Sequence, residues 1–190
     1  MAANPAQELH ALAESIRFCK NCSLHIGRGK LVFGRGDWRA PIAFVGDFPS
    51  ATDDARGEPF TESDPAGALL NKMILAMKLR PEECYLTNAF KCRPPTNQKA
   101  EREHWQACEK HLVAQFAHLS ARLIVAMGDS AARALARSES PITVLRRQTL
   151  EWEGRKVICT WHPRDLIQDA GKKKEAWDDL QRAMKEMGRQ

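Results

Sequence analysis

The pattern that most restricts the fold is a set of short apolar runs separated by longer amphipathic stretches. Pro41-Ile-Ala-Phe-Val-Gly46 is stopped by glycine, and Asp47 stands just past its end. Cys84-Tyr-Leu-Thr-Asn88 and Leu123-Ile-Val-Ala-Met127 are the second and third such runs. Continuous apolar runs suit strands buried on both faces of a parallel sheet. Between them the apolar residues fall at helical spacing. Leu9, Leu12, Ala13 and Ile16 predict a helix over Leu9 to Phe18 that delivers the chain to Cys19. Asp64-Pro65 offers an N-cap and a first-turn proline for a helix whose apolar face is Leu69, Leu70, Met73, Ile74 and Met77. Ala100 to Leu119 reads as a long helix, Gly128-Asp-Ser130 as the start of another, and Lys172 to Met187 as a final amphipathic one. Thr149 to Trp152 and Lys156 to Thr160 flank Gly154 as a hairpin-like pair. Alternating strands and helices imply an α/β fold with a parallel sheet covered on both faces, whose ligands bind outside the carboxyl ends of the strands. With no internal repeat or low-complexity linker, residues 1–190 are expected to form a single domain.

A chain of 190 residues that is 43% hydrophobic can bury one substantial core. Its longest apolar runs are far too short to cross a bilayer, and Met1-Ala-Ala-Asn-Pro5 lacks the features of a secretion signal, so a cytoplasmic location without a membrane partner is expected. The net charge of +5 is unevenly placed. Between Arg17 and Arg39 six Lys or Arg residues stand against one acid, Asp37, interleaved with Gly27, Gly29, Gly34 and Gly36. Such a segment suits phosphates, although a solvated loop has the same composition.

The six cysteines are Cys19, Cys22, Cys84, Cys92, Cys108 and Cys159. Without an export signal a disulfide framework is disfavoured. Cys84 and Cys159 sit inside apolar runs and read as core residues. Cys19-Lys-Asn-Cys22 is a Cys-x-x-Cys, and Cys92 and Cys108 lie in polar surroundings, so four thiolates can converge. Sulfur ligation of this kind fits zinc or an iron-sulfur cluster, and spacing does not separate them. A redox Cys-x-x-Cys with two bystanders is the remaining reading.

Four ordered segments carry a resemblance. Phe44-Val-Gly-Asp-Phe-Pro-Ser50 is followed by Gly57-Glu-Pro-Phe60. Leu86-Thr-Asn-Ala-Phe-Lys-Cys-Arg-Pro-Pro95 comes next, and Thr160-Trp-His-Pro163 lies near the C-terminus. With the cysteines, this set resembles the family 4 uracil-DNA glycosylases, whose patterns are Gly-Glu-Ala-Pro-Gly, Gly-x-Pro-Phe, Thr-Asn-x-x-Lys-Cys-Arg-Pro-Pro and Thr-x-His-Pro. The similarity runs from about Leu12 to Met187. It implies a three-layer α/β/α sandwich with a central four-stranded parallel sheet, acting on uracil flipped out of single- or double-stranded DNA, with a monomer as the family expectation. A base must leave the duplex before its glycosidic bond can be reached. By the resemblance, Gly46, Phe48, Phe60 and Asn88 bind uracil, Phe60 as the stacking platform and Asn88 as the amide that tells uracil from cytosine. His162 donates an N–H to the departing base, and Asp47 orients water and stabilises the sugar cation. Cys19, Cys22, Cys92 and Cys108 fall where the family ligates a structural 4Fe-4S cluster, with zinc as the alternative.

The chain departs from the family pattern around these residues. Asp47 replaces glutamate and is one methylene shorter. Phe48 replaces a small alanine, and Ser50 the second glycine. Thr61-Glu-Ser-Asp-Pro65 replaces Val-Gly, Leu145-Arg-Arg-Gln148 stands in for Leu-Arg-Gly, and Arg164-Asp165 follows the His-Pro pair where small residues are usual. The activity expected is monofunctional hydrolysis of the deoxyuridine N-glycosidic bond, leaving an abasic site. A related enzyme preferring deaminated purines, or a DNA- or uracil-binding relative with little turnover, are the alternatives. The nucleophilic basic loop of covalent uracil-DNA trapping relatives is not matched around His104.

Overall fold

The computed structural model describes residues 4–95 and 101–188. The chain begins with α1 (Pro5–Ile16), starting ahead of the expected Leu9 because the Asn4 side chain accepts from Ala6 N–H at 3.1 Å and Pro5 fits the first turn. There follow β1 (Arg35–Gly36), β2 (Ile42–Gly46) and α2 (Ala51–Arg56), the last opened by a reciprocal capping box between Ser50 and Asp53. Next are α3 (Pro65–Ala76), capped by Asp64 as the sequence suggests, β3 (Tyr85–Asn88) and α4 (Arg102–Ala117). The expected start of α4 at Ala100 lies outside the described residues. The C-terminal half contains β4 (Leu123–Met127), α5 (Asp129–Ala136), α6 (Ile142–Leu145), β5 (Thr149–Trp152), β6 (Arg155–Thr160), α7 (Pro163–Gln168) and α8 (Lys173–Glu186).

The strands form one six-stranded sheet in the order β1-β3-β2-β4-β6-β5. The sheet is wider than the four strands expected, by one strand at each edge. Strands β3, β2, β4 and β6 run parallel, but the two-residue β1 pairs antiparallel with β3, and β5 turns back antiparallel on β6. A two-residue strand leaves no periodic signal, and the β5–β6 hairpin places its first arm on the sheet edge rather than apart from it.

Alternate strand residues serve opposite faces, as the pleat requires. Ala43, Val45, Ile124, Ala126, Val157 and Cys159 join the side chains of α1, α4, α5 and α6 on one face. Ile42, Phe44, Leu123, Val125, Met127 and Ile158 join those of α3, α7 and α8 on the other. Cys84 and Cys159 are buried among these residues, as read from the sequence. Among the described residues, no helix is long and apolar enough to cross a membrane.

Register then decides what can meet. Gly46 pairs with Asn88 at the carboxyl ends of β2 and β3, and Met127 pairs with Thr160 at the ends of β4 and β6. Asp47 and His162 follow these ends directly and so emerge on the same edge of the sheet.

Candidate active site

Gly46 sits at the centre of a small group of side chains. A Cβ placed on it would lie 2.5 Å from Phe60 Cζ, 2.6 Å from Asn88 Oδ1 and 3.2 Å from His162 Nε2. Any side chain here would collide with Phe60 and Asn88 and crowd His162, so the position favours glycine. Phe60 reaches the site through a left-handed backbone, φ 52°, which costs a non-glycine residue about 1 kcal/mol or more. Three anchors hold it there. Arg35 donates from Nε to the Pro59 carbonyl at 2.9 Å and from Nη2 to the Phe60 carbonyl at 2.8 Å. Asp53, buried at the start of α2, accepts from Thr61 N–H at 3.0 Å. Gly67 in α3 lets that helix approach the Phe60–Thr61 backbone closely. The Phe60 ring is stacked beside the His162 imidazole, with centroids 5.8 Å apart and planes 28° from parallel.

His162 is the N-cap of α7, and this role fixes its ring. Its Nδ1 accepts from Arg164 N–H at 3.1 Å, while Asp165 Oδ2 accepts from His162 N–H at 3.2 Å. An accepting Nδ1 on a neutral ring puts the proton on Nε2. Burial, helped by the Arg164 charge, pushes the imidazole pKa down to about 3, so the ring stays neutral throughout the physiological range. Nε2 is buried and has no hydrogen-bond partner among the described residues, and the same holds for Oδ1 and Nδ2 of Asn88. Each such atom costs about 1–3 kcal/mol when left unpaired, and buried groups of this kind call for an explanation. The edge thus offers, around one glycine, an aromatic ring, an acceptor, and two N–H donors.

Asp47 lies beside this group with its carboxylate turned across the start of α5. Its Oδ1 accepts from Ala131 N–H at 2.7 Å, and Gly128, at φ 99°, provides the room it occupies. Some of its surface remains accessible, but protein surrounds the carboxylate closely. Desolvation raises its pKa from 3.8 to about 7. The Ala131 hydrogen bond and Arg164 act against that rise, while Asp165 and Asp129 add to it.

Phe48, expected to touch the base, is not brought into the Gly46 group. It packs against the core on the α1–α4 side and lines a neighbouring cleft of about 560 Å³ with Phe90, Trp105, Asp129 and Ser130. The Arg164 guanidinium covers its ring, 5.1 Å from the centroid. Two of the chain's departures from the family pattern therefore touch each other.

The four cysteines singled out from the sequence line one pocket, with Arg28, Lys91 and His111 around them, and all are free thiols. Arg28 Nη1 donates to Cys92 Sγ at 3.1 Å, and His111 Nε2 lies 3.3 Å from Cys19 Sγ. Among the described residues, no three His, Cys, Asp or Glu side chains are arranged to close on a single metal ion. A cluster makes a different demand, because each thiolate meets its own iron at a separate corner. Four thiols around one pocket, with the Arg28 guanidinium already aimed at the Cys92 sulfur, fit that demand.

Sequence reasoning missed several supporting residues. Arg28 and Arg35 belong to the segment read as phosphate-binding, yet both donate inward, Arg28 to Cys92 Sγ and the Arg17 carbonyl and Arg35 to the backbone under Phe60. Nothing local distinguishes them from solvated arginines. Lys91 did leave a signal, a lysine between the Asn88 strand end and Cys92. It is buried, with its ammonium among Thr87 Oγ1 at 2.6 Å, Gln115 Oε1 at 2.7 Å, the Asn88 carbonyl at 3.0 Å and the Phe33 carbonyl at 3.1 Å.

Fold and site together define an α/β protein with a group of unpaired buried polar atoms around one glycine at the carboxyl edge of its sheet. The sequence model of the uracil DNA glycosylase superfamily matches residues 33–181, so the chain belongs to that superfamily. It is 34% identical over 163 residues to a type-4 uracil-DNA glycosylase of Thermotoga maritima, covering 85% of this chain and 84% of that protein. It is 32% identical over 169 residues to the protein of that name from Archaeoglobus fulgidus, with 85% and 84% covered. With that from Sulfurisphaera tokodaii it shares 30% identity over 183 residues, covering 92% and 82%.

Proposed function

We propose that this chain excises uracil from DNA by hydrolysing the N-glycosidic bond, leaving an abasic site. The observation that carries the proposal is the unpaired amide of Asn88 beside the unpaired Nε2–H of His162, both buried around Gly46. Uracil presents an N3–H donor and an O4 acceptor on one edge, and Asn88 Oδ1 and Nδ2 are their complements. Cytosine reverses both and meets like against like. With the everted base on Phe60, His162 Nε2–H faces O2, where negative charge builds as the bond breaks. A preorganised neutral donor stabilises that charge without surrendering its proton. Ionised Asp47, anchored through Oδ1 by Ala131, orients the attacking water and stabilises the sugar cation with its remaining oxygen.

In the same reading, residues 1–190 form one domain that acts as a monomer in the cytoplasm on single- or double-stranded DNA. Cys19, Cys22, Cys92 and Cys108 hold a 4Fe-4S cluster. When bound, it supplies no step of the hydrolysis but ties α1 and the loop after it to the segment from Cys92 to α4.

Incubation with a labelled single-stranded oligonucleotide containing one uracil, followed by alkali, tests the function. Strand cleavage at the uracil is expected. A retarded band without cleavage, or cleavage only of strands that carry hypoxanthine or xanthine in place of the uracil, overturns uracil excision in favour of binding alone or a purine-directed enzyme. A purified protein that is colourless and carries stoichiometric zinc overturns the cluster.

A further inference from the structure

Arg164 has no equivalent in the family pattern, and its surroundings leave its charge unanswered. Its guanidinium rests on the Phe48 ring, 5.1 Å from the centroid, and is half-buried. Among the described residues no carboxylate lies within ion-pairing distance of it, and no hydrogen-bond acceptor engages its five N–H groups. The other arginines near the site are spoken for. Arg35 holds the Phe60 backbone, Arg28 faces Cys92, and Arg133 pairs with Asp129 at 2.9 Å.

Its position is set from both ends. The Arg164 backbone N–H is fixed to His162 Nδ1, and Phe48 directly follows Asp47 in the chain. Its charge is felt at both catalytic candidates, lowering the pKa of each. A cation over an aromatic ring gains about 0.5–1 kcal/mol at exposed sites, which holds a side chain in place but leaves its outward N–H groups unsatisfied. On the uracil-excision reading, the strand ends that carry Asp47 and His162 must admit a nucleotide with a phosphate on either side. Arginine suits that ligand because its planar fork matches two phosphate oxygens, and an aromatic shelf keeps the fork from swinging away.

We propose that Arg164, shelved on Phe48, binds one of the two phosphates flanking the everted deoxyuridine. This rests on the uracil-excision reading and adds to it a backbone contact built from residues peculiar to this chain. Phe48 then serves the nucleotide through Arg164 rather than by touching the base, which accounts for its place outside the Gly46 group.

The test uses uracil-containing single-stranded DNA and two readouts. Binding is measured against salt concentration, and excision is measured with a neutral methylphosphonate replacing each flanking phosphate in turn. Arg164→Ala is expected to weaken binding about tenfold and to reduce the salt slope by about 0.7, the contribution of one phosphate on a single strand. Arg164→Lys should recover most of the slope, since it keeps the charge. Phe48→Ala should reproduce part of the Arg164→Ala effect, and a loss confined to Phe48→Ala and absent from Arg164→Ala would contradict the shelf. One methylphosphonate position should cost the wild type about tenfold in kcat/KM and cost Arg164→Ala nothing further. An unchanged salt slope in Arg164→Ala, together with the wild-type methylphosphonate penalty, overturns the proposal. A wild-type protein that binds uracil-containing DNA but releases no uracil would instead overturn the excision reading, and the salt slope would still decide the role of Arg164.

Discussion

Two buried polar centres lie three residues apart on the same segment and have opposite characters. At Lys91 a buried ammonium is surrounded by four oxygen acceptors, from Phe33, Thr87, Asn88 and Gln115. At Asn88 and His162 three buried side-chain atoms have no hydrogen-bond partner among the described residues. The first centre is complete and explains itself as structure, because every polar group taken from water has been given a replacement. The second is incomplete, and a folded protein tolerates that where a ligand finishes the job. The Lys91 ammonium donates to the Asn88 carbonyl, so the satisfied centre holds the unsatisfied one in place.

This contrast predicts that the two centres fail in different ways when altered. The largest effect is expected at His162. Replacing it with alanine should lower kcat about 100- to 1000-fold, the usual loss on removing one preorganised donor, while the melt falls only by the lost α7 cap, about 1 kcal/mol or roughly 2–4 °C. Asn88→Ala should lower kcat/KM for uracil roughly ten- to a hundredfold, and its melting temperature should hold or rise because two unpaired buried atoms are gone. A marked loss of stability in either variant would place these residues with Lys91 and break the comparison.

The pH dependence sharpens it. Burial raises Asp47 to about 7, so activity that needs the ionised carboxylate should fall about tenfold for each pH unit below about 7. His162, held near 3, should add no inflection around its ordinary 6.5. The linkage to stability has the opposite sign. The folded protein holds the Asp47 proton more tightly than the unfolded chain, so this group's contribution to stability is complete below 3.8 and is lost as pH rises to about 7. Asp47→Asn should abolish both the activity limb and this slope, as followed by kcat/KM and denaturant midpoints across pH. Lys91→Met should have the smallest effect on turnover per folded molecule, within about tenfold, but should cost about 3 kcal/mol of stability, lowering Tm by roughly 6–12 °C for a chain of this size.

Much of this arrangement was legible in the sequence. The strand ends at Gly46 and Asn88 were marked by where the apolar runs stopped, and it was the resemblance to the family 4 glycosylases that grouped Asp47, Asn88 and His162. Helix α3 announced itself through Asp64 and Pro65. The four cysteines of the pocket were separable from Cys84 and Cys159 by the polarity of their neighbours. What the sequence withheld depends on tertiary approach. The left-handed backbone of Phe60 is imposed by Arg35, Asp53 and Gly67, none of which is its neighbour in the chain. The placement of Phe48 against the α1–α4 side of the core is likewise a matter of tertiary packing. The edge strand β1 is two residues long and exists only because β3 lies beside it.

The central claim is that the unpaired amide of Asn88 reads the base. The direct measurement compares excision of uracil and of cytosine from otherwise identical single strands by the wild type and by Asn88→Asp. An aspartate accepts where the amide donated to O4 and, when protonated, donates to the cytosine N3 while accepting from its amino group. The wild type should act on uracil and spare cytosine, and Asn88→Asp should lose most uracil excision while gaining measurable release of cytosine. If Asn88→Asp retains the wild-type preference for uracil over cytosine, Asn88 does not read the base.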